Sequence, residues 1–309
     1  MTVSRTVSAW RAWVALMDRR EPATALALVR IAAALVLLVD FASLGRLGLV
    51  AGLWSPPPAG YGYATAGWSA ALGLDAHALW ITALIALAAI ASGAATRVAC
   101  LVFVAISAQL SQIAPDSESG VDMVLRVVFV ILALSRCNAR WSIDAWIARR
   151  RGRPMPAEVP AWPRYLLMLQ LVWIYFSGGT NKSGASWGPF GGFEALANAL
   201  ADPEAARFDP AWVAVAYPLT RVATALTMAF ELGAPLYLLA YYFADTADRP
   251  GRLRAAFNRA RVRWIWIALG VMFEFGIALT LRLGAFPFGM LALFPVLLRP
   301  DELRRARPT

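Results

Sequence analysis

Charged residues, cysteine and histidine are all scarce in this sequence, and each shortage excludes a class of protein. Charged residues make up 16% and hydrophobic residues 60% of the 309 positions, whereas soluble domains average about 25% charged and roughly 45–50% apolar residues. The two cysteines, Cys100 and Cys137, lie in or at the end of apolar runs, so no disulfide framework is predicted. The single histidine, His77, has no Cys/His cluster around it, so no protein-ligated metal site is predicted.

Long apolar runs fill most of the chain and predict an all-α integral membrane protein. A helix needs around 20 apolar residues, at 1.5 Å each, to cross about 30 Å of hydrocarbon. The runs are continuous and rich in Ala, Leu and Val, which favours helices over the alternating strands of a barrel. A bundle of about eight transmembrane helices is predicted, over residues 23–45, 76–96, 98–115, 121–136, 163–180, 221–243, 262–281 and 284–299.

The net charge of +10 would suggest nucleic acid in a soluble protein, but here the arginines stand in short loops between apolar runs. They are interpreted as topology signals among membrane lipids, with no nucleic-acid partner. The arginine-rich loops place both termini in the cytoplasm and the protein in the cell inner (cytoplasmic) membrane as a multi-pass protein. The predicted organisation is an amphipathic cytoplasmic segment over 1–22, a transmembrane domain over 23–300 and a basic cytoplasmic tail over 301–309.

Charged side chains inside apolar runs cost about 2.5–3.5 kcal/mol each on insertion scales, so each calls for a partner or a function. The set consists of Arg30, Asp40, Asp122, Arg126, Glu231 and Glu274. Asp122 and Arg126 are spaced i,i+4 on one helix and are predicted to pair. Two interpretations stay open for the set: structural ion pairs that lock the bundle, or an ionisable pocket that opens to the outer face.

Lysine occurs once, at Lys182, although lysine and arginine together number 29. Arginine stays protonated in proteins, whereas a desolvated lysine can lose its proton near neutral pH and act as a base. A chain that uses arginine everywhere else has a physical reason to keep lysine where a proton must move. The alternative is a lysine that snorkels to the interface or binds a lipid phosphate.

Several short motifs follow one another in a fixed order along the chain. Around the fifth predicted span the residues are Gln170, Tyr175, Phe176, a run of glycines, Lys182 and Trp187. Elsewhere the pieces are Arg30 to Asp40, Gly120 to Asp122, Phe230 to Leu232, and Leu283 to Met290. In this order they resemble the HTTM proteins, whose membrane domain is shared by vitamin K-dependent γ-glutamyl carboxylase and many bacterial proteins, including the sporulation-delaying-protein B type. The likeness covers most of residues 23–300.

The resemblance implies that Lys182 is a catalytic base. In the carboxylase, a lysine at the matching position deprotonates vitamin K hydroquinone; oxygen then yields an epoxide, and the strong base formed removes a γ-proton from glutamate before carbon dioxide adds. For this chain it implies a quinol-dependent epoxidase or carboxylase-like (lyase-type) enzyme that takes a reduced quinone of the vitamin K or menaquinone type and no metal. The other catalytic candidates are Glu274 and Glu231. The candidate substrate-binding residues are Tyr175, Asn181, Trp187, Gln170, Asp122 and Arg126.

Two departures from the carboxylase leave the reaction open. The 309 residues do not include its large soluble domain, which leaves a separate soluble partner protein as one expectation. The likeness to the sporulation-delaying-protein B type, which is implicated in maturing a secreted toxin peptide, implies an exported peptide as the other. Glu274 stands where many relatives have a histidine, and a carboxylate can also take part in proton transfer. The rival hypothesis is a non-catalytic membrane factor that binds a peptide or partner protein in toxin maturation or export. A small-solute transporter is a third possibility and would predict inverted repeats and broken helices, neither of which is evident in the sequence.

Overall fold

A computed structural model describes residues 10–11, 13–62 and 67–305, with the side chains of residues 304 and 305 excepted. The predicted cytoplasmic segment 1–22 and tail 301–309 therefore lie partly outside the described residues. The α-helices in chain order are α1 (Thr24–Arg46), α2 (Leu49–Trp54), α3 (Gly67–Ala71), α4 (Ala76–Ser92), α5 (Thr96–Ile113), α6 (Gly120–Leu134), α7 (Ile143–Arg150), α8 (Trp162–Asn181), α9 (Ala195–Ala201), α10 (Trp212–Leu232), α11 (Ala234–Asp245), α12 (Arg252–Arg259), α13 (Val262–Thr280), α14 (Phe286–Leu291) and α15 (Pro300–Arg305).

Short 3₁₀ helices and one pair of strands complete the secondary structure of the described ranges. The 3₁₀ helices cover Pro115–Ser117, Cys137–Ala139, Ala185–Trp187, Pro189–Gly191 and Phe294–Leu297. Strand β1 (Arg20–Pro22) pairs antiparallel with β2 (Glu158–Pro160), with Glu21 opposite Val159. Each strand has only three residues. The pair connects two chain segments that are distant in sequence, and the fold is otherwise all-α.

Four of the described helices, α1, α5, α10 and α13, are long and apolar enough to cross a membrane. They contain 23, 18, 21 and 19 residues, which meets the requirement of about 20 residues for about 30 Å of hydrocarbon. The apolar helix α4 is shorter, at 17 residues. The protein is therefore a multi-pass membrane protein of helical class, as the composition predicts.

Two of the predicted spans are wrong as continuous helices, and proline explains both. The predicted span 221–243 is divided at Gly233 into α10 and α11, because Pro235 in the first turn of α11 lacks an N–H and its ring clashes with the carbonyl four residues earlier. The predicted span 284–299 is a short helix, α14, followed by the 3₁₀ helix Phe294–Leu297, in which Pro295 occupies the first turn.

The described residues divide into two compact units, and we describe each by itself. The first lies within Met1–Leu167 and Ala292–Thr309, and the second is Met168–Leu291. In the first unit α1 packs on α4, α4 on α5 and α5 on α6. Phe103 joins these layers, because its ring packs edge-on against both Phe41 of α1 and Phe129 of α6.

Two arginines are fully buried in the first unit. Arg164 donates to both carboxylate oxygens of Glu21, at 2.7 and 2.8 Å, and to the carbonyl of Val296 at 3.1 Å. This bidentate pair fastens strand β1 to the start of α8. Arg30, in the second turn of α1, donates to the carbonyl of Trp141 at 2.6 Å. Arg30 thus finds its partner in the backbone of a distant loop.

Asp144, at the start of α7, accepts hydrogen bonds from the N-terminus of α5. Its carboxylate accepts from the backbone N–H groups of Ala95 (2.8 Å) and Thr96 (3.1 Å), from the Thr96 hydroxyl (3.0 Å) and from Asn138 Nδ2 (2.8 Å). Burial works against the ionised form, but the hydrogen bonds from Asn138, Thr96 and Ala95 outweigh it and lower the pKa of Asp144 below its ordinary value. The surface helix α7 is therefore held to the end of α5 by an ionised carboxylate.

Because folding lowers the pKa of Asp144, the carboxylate stabilises the fold above its unfolded pKa of about 3.9 and loses this effect as the pH falls through the folded value. We expect Asp144→Asn, which keeps the shape of the side chain but removes its charge, to lower the free energy of unfolding by about 1 kcal/mol at neutral pH, because hydrogen bonds from a helix N-terminus to an ionised carboxylate are stronger than those to a neutral amide. The gap to wild type should close below about pH 4. Thermal unfolding in detergent, at neutral pH and below about pH 4, measures this stability difference. Asp18→Asn, at an exposed carboxylate, is the control. A gap that does not change with pH would contradict this role.

In the second unit, the long helices α10 and α13 pack against each other, and α9 lies on α10. Helix α11 contacts both α12 and α13, and α14 follows α13. Ala206 and Leu281 form an isolated antiparallel bridge that ties the loop after α9 to the end of α13. From Met168 onward, α8 also belongs to this unit, and its last turns carry the glycines and Lys182 that the sequence singled out.

Candidate functional site

Lys182 stands directly after α8 and forms an ion pair with Glu231 in the last turn of α10. Its Nζ atom lies 2.6 Å from each carboxylate oxygen of Glu231 and 3.4 Å from the carbonyl oxygen of Gly178. The Glu231 side chain is 5% exposed and that of Lys182 is 21% exposed. The carboxylate is thus enclosed by protein, and Lys182 is the more exposed partner of the pair.

Two glycines at the end of α8 leave the room that this pair occupies. A methyl group at Gly179 would stand 2.9 Å from Cβ of Glu231 and 3.1 Å from the backbone nitrogen of Leu232. A methyl group at Gly178 would stand 3.3 Å from Oε1 of Glu231 and 3.7 Å from Nζ of Lys182. The glycines therefore let the backbones of α8 and α10 come close enough for Lys182 to reach Glu231.

We expect Gly179→Ala to lower the free energy of unfolding by about 1–3 kcal/mol, the usual cost of overpacking a close contact. The added methyl group meets backbone and Cβ atoms of α10, which cannot rotate away as a side-chain tip can. Gly276→Ala is the matched control, because Gly276 also lies inside a helix of this unit and has open space at its Cβ position. Thermal unfolding in detergent compares the two variants. Equal stability of both would show that α8 and α10 do not approach this closely.

Trp187 also contacts the ammonium group, through its indole ring. It ends the 3₁₀ helix Ala185–Trp187, and Nζ of Lys182 lies 5.1 Å from its ring centroid. At this distance the negative face of an indole attracts a cation. Lys182 therefore contacts both a carboxylate and an aromatic face, and its side chain stays partly exposed.

A second polar pair lies deeper in the same unit. The hydroxyl of Tyr175 donates to Oε1 of Glu274 at 2.5 Å. Glu274 is fully buried in α13, and its other carboxylate oxygen has no hydrogen-bond partner among the described residues. Aromatic rings surround the phenol, with centroids 4.7 Å away for Phe230, 5.8 Å for Trp266 and 6.1 Å for Phe273.

The two pairs are aligned along one face of α8. Tyr175, Gly178 and Lys182 follow one another at i, i+3 and i+7, so they share that face. Seven residues correspond to about 10 Å along the helix axis. Phe230 packs on Tyr175 and stands next to Glu231 in α10, so it belongs to the aromatic wall around Tyr175 and is also the sequence neighbour of the ion pair.

The family profile of the HTTM domain matches residues 18–241 of this chain. The chain belongs to the HTTM domain family. This membrane domain is related to γ-carboxylase, which agrees with the resemblance found in the sequence. No curated protein and no solved structure matches the chain. The matched residues of the HTTM domain include Tyr175, Lys182 and Glu231, whereas Glu274 lies beyond their end.

Other predicted site residues of the HTTM domain take up different positions. Asn181 is exposed at the end of α8, where Nδ2 lies 3.3 Å from the hydroxyl of Ser177. Gln170 is half-buried on α8, twelve residues before Lys182, or about 18 Å along a helix. The structure thus brings Lys182 together with Glu231 and Trp187, and Tyr175 with Glu274, while Asn181 points to the surface.

The predicted pairing of Asp122 with Arg126 is wrong. Asp122 caps the start of α6, where its carboxylate accepts from the backbone N–H and hydroxyl of Ser119 at 2.9 and 2.8 Å. Arg126 instead forms an ion pair with Glu118 and donates to the hydroxyl of Ser107 at 3.2 Å. The first turn of a helix attracts a carboxylate to its free N–H groups, and this capping role competes with the i,i+4 pair. Both residues belong to the first unit, whereas Lys182 belongs to the second.

Sequence reasoning missed Glu118 as the partner of Arg126 and the spacing role of Gly178 and Gly179. A signal for the first was present, because Ser119 followed by Asp122 is a capping-box pattern that marks the start of a helix. Recognising it would have assigned Asp122 to the cap and left Arg126 without its predicted partner. The contact between the glycines and Glu231 joins helices that are distant in sequence, and no local pattern predicts it.

An apolar cavity of about 270 Å³ opens beside this site in the second unit. It lies between α10 and α13 and is bordered by α9; its lining includes Leu196, Leu226, Phe230, Met272 and Phe273. The hydroxyls of Thr220 and Thr280 at its edge donate to carbonyls of their own helices. The cavity wall is therefore almost entirely hydrocarbon. Phe230 and Phe273 form part of the cavity and also part of the aromatic wall around Tyr175.

Proposed function

We propose that this HTTM domain removes a proton from a lipid-soluble quinol-type substrate. Lys182 is the base, and Glu231 first accepts the proton of the Lys182 ammonium group so that the amine is free to act. The observation that carries the proposal is the ion pair itself. The single lysine of the chain is held by both oxygens of a buried carboxylate, yet its side chain stays partly exposed. A structural ion pair in this arginine-rich chain has no need of lysine, whereas proton transfer does.

The ion pair also defines the order of the proton movements. In the ion pair, with the carboxylate 2.6 Å away, Lys182 carries its proton and has no lone pair with which to accept another. Transfer of one proton from Lys182 to Glu231 gives a neutral amine and a neutral carboxylic acid, a state that low polarity favours. The amine then takes the hydroxyl proton of the quinol. The quinolate anion formed is stabilised by the new ammonium group, because Glu231 no longer neutralises it.

The surroundings of the pair suit a hydrophobic substrate. The apolar cavity shares Phe230 with the wall of the site, and Phe230 is the sequence neighbour of Glu231. Pockets for small molecules are mostly apolar with a few polar groups that fix orientation. A quinol whose ring meets Lys182 and whose hydrocarbon tail enters the cavity would satisfy both features. Tyr175 and Glu274, at the far side of Phe230, would hold a further proton within the site.

Later steps are proposed from the family relationship. By its likeness to the carboxylase, the quinolate would react with oxygen to give an epoxide, and the base released would act on an exported peptide or on a peptide held by a separate soluble partner. We further propose eight membrane crossings, with α4, α6, α8 and the segment 284–299 added to the four long helices. Both termini would then lie in the cytoplasm, with the protein in the inner membrane.

A non-catalytic role is the second candidate, and one observation favours it. The ammonium group of Lys182 already has two carboxylate contacts and an aromatic face, which is sufficient to satisfy it as a structural clamp between α8 and α10. In that case the HTTM domain would bind a peptide or partner protein in maturation or export, and the polar pairs would only fix the helices.

The test of the proposed function is a turnover assay. Purified protein in nanodiscs is incubated under oxygen with reduced menaquinone or vitamin K hydroquinone, and the products of wild type and Lys182→Ala are compared by mass spectrometry. Formation of epoxide by wild type and its loss in the variant supports the proposal. No turnover of either quinol by folded wild-type protein would favour the non-catalytic role.

A further inference from the structure

Helix α12 is attached to the end of α11 by one face. The guanidinium of Arg254 lies 5.4 Å from the ring centroid of Phe243 and donates to the carbonyls of Arg249 and Pro250 at 3.1 and 2.9 Å. Phe257 packs edge-on against Phe243 at 5.3 Å, and Asn258 donates to the carbonyl of Phe243 at 3.0 Å. This i, i+3, i+4 face is therefore occupied by contacts within the unit.

The rest of α12 is free of such contacts among the described residues and is strongly basic. Arg252 and Arg259 are exposed and are spaced i, i+7, which places them on one side of the helix about 10 Å apart. Leu253 beside them is 58% exposed. Residues 249–263 contain no aspartate or glutamate, and their arginines are Arg249, Arg252, Arg254, Arg259, Arg261 and Arg263.

The position of α12 along the chain sets the surroundings of this basic face. Val262, three residues after α12, begins the candidate membrane span α13, and the apolar helix α11 precedes it. A helix that leads within three residues into a membrane span lies near the boundary between hydrocarbon and water. Anionic phosphate groups of lipids are concentrated there, and an exposed leucine next to arginines is typical of helices that lie in this boundary.

We propose that the exposed face of α12 binds the headgroups of anionic phospholipids. Arg252 and Arg259 contact lipid phosphates, which a guanidinium binds through two parallel N–H donors, and Leu253 enters the acyl boundary. The exposed face carries positive charge, because Arg252 and Arg259 stand in a segment, residues 249–263, that contains no aspartate or glutamate. This surface requires neither Lys182 nor its substrate, so it stands independently of the proposed function.

The test is a titration of phosphatidylglycerol into the purified full-length protein in zwitterionic detergent, followed by native mass spectrometry. The double variant Arg252→Gln/Arg259→Gln should lose affinity by roughly 25-fold, or about fivefold for each arginine removed. The matched control is Arg207→Gln/Arg282→Gln. It removes the same charge at the opposite end of α13, where the backbone N–H of Arg207 donates to the carbonyl of Thr280, and it should keep most of the affinity.

Three results would overturn the proposal. Equal weakening by the test and control variants would show a response to net charge alone. Equal affinity of wild type for phosphatidylcholine would show that the headgroup charge is not recognised. Binding of inorganic phosphate with the affinity of the lipid would identify a site for free phosphate rather than for a membrane surface. Circular dichroism of the double variant checks that the helices remain formed, and Leu253→Ser, which keeps all arginines, should weaken binding to phosphatidylglycerol vesicles.

Discussion

Replacing Lys182 by arginine is expected to lower quinol turnover by about 10²- to 10⁴-fold, the usual contribution of a positioned general acid or base. Arginine keeps the positive charge and can still bind both oxygens of Glu231, so the contact between α8 and α10 is retained. It cannot supply a free base, because its guanidinium stays protonated in proteins. The loss of turnover should therefore occur without a comparable loss of stability.

The comparison needs turnover and melting temperature measured on the same preparations in nanodiscs. Arg282→Lys is the control, since it makes the reverse exchange at an exposed arginine of the same unit and should leave both quantities unchanged. Full turnover by Lys182→Arg would mean that only the charge matters. Lys182 would then be a clamp, and the non-catalytic role would be the better account.

The largest expected effect on stability comes from the buried pair of Arg164 and Glu21. Their side chains are 1% and 5% exposed, and the two hydrogen bonds between them are 2.7 and 2.8 Å long. Arg164→Met leaves the Glu21 carboxylate buried without its counter-charge, which should lower the free energy of unfolding by about 3–5 kcal/mol. Thermal or denaturant unfolding in detergent measures the change.

Two further variants distinguish the effect of the buried Arg164–Glu21 pair on stability from a general effect of removing a charge. The double variant Glu21→Leu/Arg164→Met removes both charges and should recover most of the lost stability, because no unpaired charge stays buried. Arg20→Met breaks the neighbouring surface pair with Asp18, whose side chains are 55% and 67% exposed, and should cost at most about 1 kcal/mol. A loss in Arg20→Met as large as that in Arg164→Met would contradict the importance of burial.

The extent of apolar spans without an internal proline could be predicted closely, whereas the extent of those with an internal proline could not. The predicted spans 23–45, 163–180 and 262–281 agree within two residues at each end with α1, α8 and α13, because hydropathy alone decides their extent. The start of α10 was predicted nine residues too late, at 221 instead of Trp212, and Pro218 lies inside the helix segment that the prediction left out. Proline is tolerated in apolar helices when neighbouring groups satisfy the freed carbonyl.

The composition of the candidate site could be predicted, but its pairings could not. Lys182, Glu231, Tyr175 and Glu274 attract notice because each places a polar group in an apolar run. Their partners depend on which helices approach each other, as the contact of Gly179 with Glu231 illustrates. The same limit explains the error at Asp122, where the capping of α6 by Ser119 and Asp122 replaced an ion pair that helix spacing alone suggested.

The most direct test of the central claim is an anaerobic binding experiment that monitors the ionisation of the quinol. Without oxygen the substrate stops after proton transfer, and the quinolate anion is distinguished from the neutral quinol by its absorption at longer wavelength. Wild-type protein in nanodiscs should convert bound hydroquinone to the anion, and Lys182→Ala should bind it in the neutral form. A neutral quinol spectrum with wild type, or the same anion spectrum with both proteins, would contradict the assignment of Lys182 as the base.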